Sequence, residues 1–177
     1  VGGDYYDIIE LGGGKYALVI ADVSGKGVTA ALLVSMLHAA LHAYIETNID
    51  LVDLVVKLNK VIYNNTEPER YITFVIGVLD INVGTLTYVN AGHNFPYVIK
   101  SDTQEVYPLG KGGLPLGMFE GLPFQKETVP LGMTDNVVLY TDGVTEAMDT
   151  SASEYSEERF QRCVVRHMHK PVSELKG

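Results

Sequence analysis

Three aspartates beside glycine turns are the residues of this chain that could do chemistry together. They are Asp4, Asp22 and Asp142. Asp22 ends an apolar run at residues 16–21, and Asp142 follows another at residues 137–140; both runs are typical of buried strands. A buried carboxylate without a partner is strongly unfavourable, and no pattern of Lys or Arg matches these acids. A hard divalent ion with oxygen ligands explains them best, so we predict metal-assisted chemistry on an anionic group.

The composition describes one acidic, globular domain. The chain has 177 residues, of which 46% are hydrophobic and 20% charged, and this suffices for one core. Its formal net charge of −9 disfavours nucleic acid and anionic membranes as partners. Cys163 is the only cysteine, which excludes an intrachain disulfide and fits a cytoplasmic location. We expect residues 1–177 to be a single domain, truncated at both ends from a longer protein.

The hydrophobic periodicity predicts an α+β fold that positions these aspartates. Strands are predicted at residues 4–11, 15–22, 71–80, 85–91, 97–100, 105–107, 124–129 and 136–140. Helices are predicted at residues 28–45, 51–65 and 156–168. Strands cluster rather than alternate with helices, so we expect antiparallel sheets packed between helices. Asp50 is predicted to cap the second helix, because its carboxylate can accept from the free amides of the first turn.

The first helix is uncharged over nearly the length of a membrane span, but its pattern favours a soluble helix. It contains His38 and His42, and its larger residues recur at helical spacing. We therefore predict a mostly buried helix that ends near Asn48. His38 and His42 share one face at a spacing that can bind zinc. No third ligand is evident in the sequence, so we interpret them as packing residues.

Five motifs in order resemble the bacterial branch of the PP2C-type serine/threonine phosphatases. This branch contains the sporulation stage II E proteins and the stress-response sigma-factor regulators. The motifs are VGGDYYD at 1–7, ADVSGKG at 21–27, NAGHN at 90–94, LPLG at 114–117 and YTDGVTEA at 140–147. The resemblance spans nearly the whole chain. It implies a β-sandwich of two antiparallel sheets flanked by helix pairs.

The resemblance also implies a two-metal hydrolase. The activity would be hydrolysis of phosphoserine or phosphothreonine on a protein by a water that two Mn²⁺ or Mg²⁺ ions activate, with no protein nucleophile. The implied metal ligands are Asp4, Asp22, the backbone carbonyl of Val23, and Asp142. Asp7 lies close enough to Asp4 in sequence to share its role. Residues expected to support the site or contact substrate are Ser24, Lys26, His93, Gly143 and Glu146.

Three departures from the family pattern leave alternatives open. Ser24 stands where eukaryotic members have a proposed general acid, so the proton donor is unassigned. The eukaryotic phosphate-binding arginine has no visible counterpart. The closing Asp-Asp-Xaa-Thr strand, which carries a metal ligand, has no match before Gly177. Two other functions therefore stay open: a catalytically silent signalling or binding module with the same fold, and a phosphohydrolase of small phosphoesters.

The partners follow from the resemblance alone. The expected substrate is a phosphorylated STAS-type antagonist of an anti-sigma factor. We also expect an upstream sensor or dimerisation domain in the same protein, and a homodimer is a possible assembly. We expect no nucleic acid and no membrane contact by this domain.

Overall fold

The computed structural model describes residues 3–47, 49–67, 69–170 and Glu174. The strands within them are β1 (Asp4–Gly12), β2 (Lys15–Val23), β3 (Ile72–Asp80), β4 (Thr85–Ala91), β5 (Tyr97–Ile99), β6 (Val106–Pro108), β7 (Gly112–Gly113), β8 (Glu127–Pro130) and β9 (Asn136–Val138). The helices there are α1 (Val28–Ile45), α2 (Leu51–Asn65), α3 (Asp142–Thr145) and α4 (Glu157–His167). The predicted helix end near Asn48 lies outside the described residues, as do Val1, Gly2 and, near the C-terminus, residues 171–173 and 175–177.

The elements divide between two compact units. One consists of residues Val1–His93 and Gly110–Pro130, and the other of Asn94–Leu109 and Leu131–Gly177. The first unit holds a six-stranded sheet in the order β1-β2-β3-β4-β7, with β8 also paired to β4. Its pairings are antiparallel except for the short parallel pairing of β4 with β7, a strand that the sequence did not predict.

The edge strand β1 alternates strictly between the two faces of this sheet. Asp4, Tyr6 and Ile8 are exposed, whereas Tyr5 and Ile9 are partly buried and pack against the core. Successive side chains of a strand point to opposite faces, so one face of β1 carries Asp4 and the other carries the residues that meet the helices. This alternation decides which acids of β1 can share a site.

Helix α2 covers the core face of the sheet as its periodicity predicts. Its buried residues are Leu51, Leu54, Val55, Leu58, Asn59 and Ile62. The apolar ones join one cluster with buried residues of β2, β3 and β4, including Val19, Phe74 and Ile76. The Asp50 side chain accepts from the Val52 N–H at 2.9 Å, which confirms the predicted cap.

Helix α1 is less buried than predicted. Leu33, Leu37 and Leu41 enter the core cluster, but only 22% of the helix is buried, and Val28 and Leu32 are exposed. The expectation of a mostly buried helix is therefore wrong. Alanines dilute the apolar stripe, so a helix of this composition packs along one narrow face. By length and composition alone it would also pass for a membrane span.

Asn59 is a buried polar residue of α2 that holds a loop. Its amide donates to the backbone oxygens of Phe119 and Glu120, both at 3.0 Å. Its Oδ1 accepts from the Gly117 N–H at 2.9 Å. The helix thereby fixes the loop that follows the LPLG motif, whose Leu116 pairs with Ile72 through backbone hydrogen bonds at the start of β3.

We expect Asn59→Ala to lower the free energy of unfolding by about 3 kcal/mol, because the buried Gly117 N–H loses its acceptor and the Phe119 and Glu120 carbonyls lose their donor. The matched control is Asn64→Ala, an exposed position in the same helix, which should stay within about 0.5 kcal/mol of the parent. Urea unfolding followed by circular dichroism measures both. Equal, small losses for the two variants would contradict the role of Asn59.

The second unit holds a three-stranded antiparallel sheet in the order β6-β5-β9, with α3 and α4. Its core contains Tyr97, Ile99, Tyr140 and Met168, against which Phe160 of α4 packs. The hydroxyls of Tyr97 and Tyr140 lie 3.0 Å apart, and their rings stack with centroids 5.5 Å apart. The segment that leads to Asp142 is thus anchored in the core of its unit.

Candidate metal centre

Asp4 and Asp22 face each other at one end of the edge hairpin. Asp4 is the first residue of β1 and is the register partner of Asp22 in β2. Directly opposite residues of an antiparallel pair lie on the same face, so the two carboxylates share the face away from α1 and α2. The row continues to Thr73 in β3, the partner of Asp22. Two like charges placed this way favour a divalent cation with oxygen ligands.

The backbone beside Asp22 packs tightly against Gly3. The Val23 N–H donates to the Gly3 carbonyl at 3.2 Å. A Cβ on Gly3 would come within 2.8 Å of the Val23 carbonyl oxygen and 3.4 Å of Asp22 Oδ1. A side chain at position 3 would therefore collide with the Val23 carbonyl oxygen and would touch the Asp22 carboxylate. Glycine at this position lets the two strand ends approach while leaving those oxygens in place.

The loop after Asp22 is fastened to the start of β3. Ser24 N–H donates to the Tyr71 carbonyl at 3.0 Å, and the Ser24 hydroxyl accepts from the Tyr71 N–H at 2.9 Å. Ser24 therefore positions the loop that follows Asp22. Gly25 adopts φ of 100°, a conformation that L side chains rarely adopt. Lys26 is exposed at the tip of this loop.

Arg70 is a cation at this loop that sequence reasoning missed. Its Nη1 donates to the Ser24 carbonyl at 3.2 Å, and a Cβ on Gly25 would lie 2.0 Å from the same nitrogen. Arg70 is separated from Ser24 by two helices in the chain, so only the antiparallel pairing of β2 with β3 brings them together. No local motif marks such a residue.

His93 lies on the same side of the sheet as Asp22, but its side chain is buried and hydrogen-bonded. It is buried, and its Nδ1 lies 2.8 Å from the Thr73 hydroxyl, which in turn lies 3.4 Å from the Asp22 carbonyl. The His93 N–H donates to Asn90 Oδ1, and Asn90 Nδ2 donates to the His93 carbonyl. These hydrogen bonds indicate that His93 positions Thr73 and Asn90.

Asp142 opens the short helix α3 in the second unit. Thr141 precedes it in extended conformation, and the Glu146 N–H donates to the Asp142 carbonyl at 2.7 Å to close the turn. Gly143 lies within this helix without a positive φ, and a Cβ there would meet nothing closer than 3.7 Å. The backbone at position 143 therefore does not require glycine.

Two expectations about histidines and Asp7 are also corrected. Asp7 lies an odd number of residues from Asp4 in β1, so it points to the opposite face and cannot share the Asp4 site. His42 Nε2 lies 2.8 Å from Asp7 Oδ2, and His38 Nδ1 lies 3.9 Å from it. Asp7 is therefore a third potential ligand beside the histidine pair. The sequence did not indicate it, because the contact joins a strand residue to the face of a helix that is distant in the chain.

The chain matches known proteins over almost its full length. The family model of the stage II sporulation protein E matches residues 12–176. Phosphoserine phosphatase RsbP of Bacillus subtilis is 30% identical over 98% of this chain and 42% of its own length. Phosphoserine phosphatase RsbU of the same species is 30% identical over 98% of this chain and 51% of its own length. The chain thus spans about half the length of these curated relatives.

Solved structures give the same result for the fold. The RsbU and RsbW domains of Rv1364c from Mycobacterium tuberculosis match with a TM-score of 0.81 and 28% identity, over 99% of this chain and 48% of that one. The PP2C domain of SiaA from Pseudomonas aeruginosa matches with a TM-score of 0.83 and 22% identity, over 98% of this chain and 69% of the SiaA chain. RsbX in complex with magnesium matches with a TM-score of 0.69 and 16% identity, over 96% of this chain and 81% of the RsbX chain. The predicted fold class is confirmed.

Proposed function

This chain belongs to the stage II sporulation protein E family of PP2C-type phosphatases, and we propose that it hydrolyses phosphoserine or phosphothreonine on a regulatory protein. The observation that carries the proposal is the placement of Asp4 opposite Asp22, beside the Val23 carbonyl, at the end of the edge hairpin. Carboxylates and a carbonyl in this arrangement are the donors that Mg²⁺ and Mn²⁺ prefer.

Divalent ions are the cofactors that the family implies, and the donor set of this chain fits them. Asp22, the Val23 carbonyl and Asp4 would hold the ions, and we include Asp142 as a further ligand. When bound, two such ions supply a nucleophilic water at neutral pH and neutralise phosphoryl oxygens. The chain's own residues fix the ligands: Gly3 and the Ser24–Tyr71 hydrogen bonds hold the backbone around Asp22.

Arg70 is our candidate for orienting the phosphoryl group. Its guanidinium lies against the loop that follows Asp22, and its Nη1 donates a hydrogen bond to the Ser24 carbonyl. A guanidinium has further donors in a planar fork that suits phosphate oxygens. Lys26, exposed on the same loop, would add positive charge without such a fork. Arg70 would thereby take the part of the arginine that the sequence lacks near its N-terminus.

We expect Arg70→Ala to lower kcat/KM about 10- to 150-fold, because a charge-assisted hydrogen bond worth about 1.5–3 kcal/mol is lost. Arg70→Lys should recover part of this loss, since charge is kept without the fork. Initial rates of phosphate release over a range of substrate concentrations separate KM from kcat.

The control for Arg70 is Arg162→Ala, an exposed arginine of α4 that pairs with Glu158 at 3.6 Å. It should leave kcat/KM unchanged. If Arg70→Ala also kept full kcat/KM while folding normally, Arg70 would be a loop anchor only.

The substrate and partners are part of the proposal. We propose a phosphorylated STAS-type antagonist of an anti-sigma factor as substrate, supported by family likeness to proteins named phosphoserine phosphatases. We also propose that the protein has an upstream sensor or dimerisation domain and is located in the cytoplasm. Homodimer formation is a further part of the proposal. That the chain covers about half of its curated relatives supports a modular protein.

A substrate comparison tests the proposed function against its alternatives. Phosphate release would be followed during Mn²⁺ titration with a phosphorylated STAS protein and with a small aromatic phosphate. We expect Mn²⁺-dependent release from the phosphoprotein. Release from the small ester alone would instead indicate a small-molecule phosphohydrolase. Silence on both would indicate a binding module.

A further inference from the structure

A cluster of metal-ligating side chains joins β1 to α1 on the helix-facing side of the sheet, away from Asp4. Its members are Asp7 of β1 with His38 and His42 of α1. Their ligand atoms all lie within 4.8 Å of one another. We propose that these three side chains bind one divalent transition-metal ion of the zinc class. The inference is independent of the proposed phosphatase function.

The distances suit such an ion. Asp7 Oδ2 lies 2.8 Å from His42 Nε2 and 3.9 Å from His38 Nδ1. A tetrahedral zinc ion with ligand bonds of about 2.0–2.2 Å places its ligand atoms about 3.3–3.6 Å apart. The observed separations bracket that range, so small side-chain rotations would complete the site. The spacing i, i+4 keeps both imidazoles on one face of α1, with ring centroids 4.3 Å apart.

The surroundings orient the ligands. The Tyr5 hydroxyl donates to Asp7 Oδ2 at 2.8 Å and lies 3.1 Å from His38 Nδ1, and the Ile8 N–H donates to Asp7 Oδ1. Burial raises the pKa of Asp7, but the hydrogen bonds from His42, Tyr5 and Ile8 outweigh it and hold that pKa below its ordinary value. The carboxylate is therefore deprotonated and fixed, as a metal ligand must be.

The cluster is also accessible. The side chains of His38, His42 and Asp7 are 53%, 39% and 25% exposed, so an ion can reach them from solvent without opening the core. Imidazole nitrogens are borderline donors, so two of them with one carboxylate favour zinc-class ions over Mg²⁺. This chemistry separates the cluster from the all-oxygen donors at Asp4 and Asp22.

Equilibrium dialysis against Zn²⁺ in excess Mg²⁺ tests the site, because Mg²⁺ occupies oxygen ligands and leaves imidazoles free. We expect one Zn²⁺ per chain and a rise in the thermal unfolding midpoint. His42→Ala and the isosteric Asp7→Asn should each weaken Zn²⁺ binding at least about 100-fold, since each removes a side chain that bonds directly to the ion. Tyr5→Phe should weaken it about 10-fold while keeping the stoichiometry.

The matched control is His167→Ala, which removes a histidine of α4 that has a possible ligand one turn away, with Cys163 Sγ 3.7 Å from His167 Nδ1. It should leave Zn²⁺ binding unchanged. Thermal unfolding in EDTA establishes that each variant folds, and His38→Gln serves as a second variant if His42→Ala does not. The proposal is overturned if folded Asp7→Asn and His42→Ala or His38→Gln bind Zn²⁺ like the parent. It is equally overturned if His167→Ala removes the ion.

Discussion

Replacing Asp22 with asparagine is expected to abolish turnover while leaving the protein as stable as before or more stable. Asp22 is a proposed ligand of the divalent ions and faces Asp4 across the hairpin. Losing it removes several kcal/mol of metal-assisted stabilisation, so kcat/KM should fall at least about 1000-fold. The fold gains because two directly opposed like charges become one charge and an amide, a change worth up to about 1 kcal/mol.

Phosphate release at saturating Mn²⁺ and thermal unfolding in EDTA measure the two effects separately. The matched control is Asp53→Asn, which neutralises an exposed acid in the first turn of α2. It should leave activity unchanged and lower the free energy of unfolding by at most about 1 kcal/mol, because an acid there interacts favourably with the helix dipole. An Asp22→Asn variant that kept more than a tenth of the parent activity would contradict the account. A variant that lost activity only because it unfolded would leave the metal role unsupported.

Asp142→Asn is expected to lower activity at least about 100-fold at limiting Mn²⁺, because a proposed ligand to one ion is replaced by a weaker donor. Unlike Asp22→Asn, it should regain part of its activity as Mn²⁺ is raised, since the Asp22 carboxylate remains. The measurement is the Mn²⁺ concentration that gives half-maximal phosphate release. Asp142 opens α3, and its side chain is partly exposed, so the fold should tolerate the change.

The control for Asp142 is Glu154→Gln, an exposed acid in the same unit. It should keep the parent Mn²⁺ dependence. If Asp142→Asn kept it as well, Asp142 would have no part in ion binding. If its activity failed to recover at any Mn²⁺ concentration, Asp142 would do more than bind one ion.

Local patterns were enough to predict most elements. The edge hairpin followed from two β patterns around Gly12, Gly13 and Gly14, and its register places Asp4 opposite Asp22. Helix α2 followed from its apolar stripe, with its N-terminus marked by Asp50. These signals reside within a few neighbouring residues, and here tertiary contacts reinforce them.

What sequence reasoning missed depends on pairing between distant segments. Arg70 reaches Ser24 only because β3 pairs with β2, and Asn59 reaches Gly117 only because α2 packs near that loop. Asp7 meets His42 because an edge strand lies beside one face of α1. None of these contacts leaves a periodic or motif signal in the chain. The convergence of Asp142 with Asp4 and Asp22 stays a prediction of the family resemblance.

Helix α1 shows how periodicity can overstate burial. Its larger residues recur at helical spacing, which suggested a mostly buried helix, yet Val28 and Leu32 are exposed. Burial depends on what packs against a helix, and only one narrow face of α1 meets α2 and the sheet. The histidines lie near the edge of that face, which is why they looked like packing residues and instead meet Asp7.

The most direct test of the central claim is a crystal structure grown in millimolar Mn²⁺, with anomalous diffraction used to locate manganese. The account predicts manganese bound by the Asp22 carboxylate and the Val23 carbonyl, with Asp4 and Asp142 contributing ligands directly or through water. Manganese-saturated, active protein with no anomalous peak at Asp22 would contradict it.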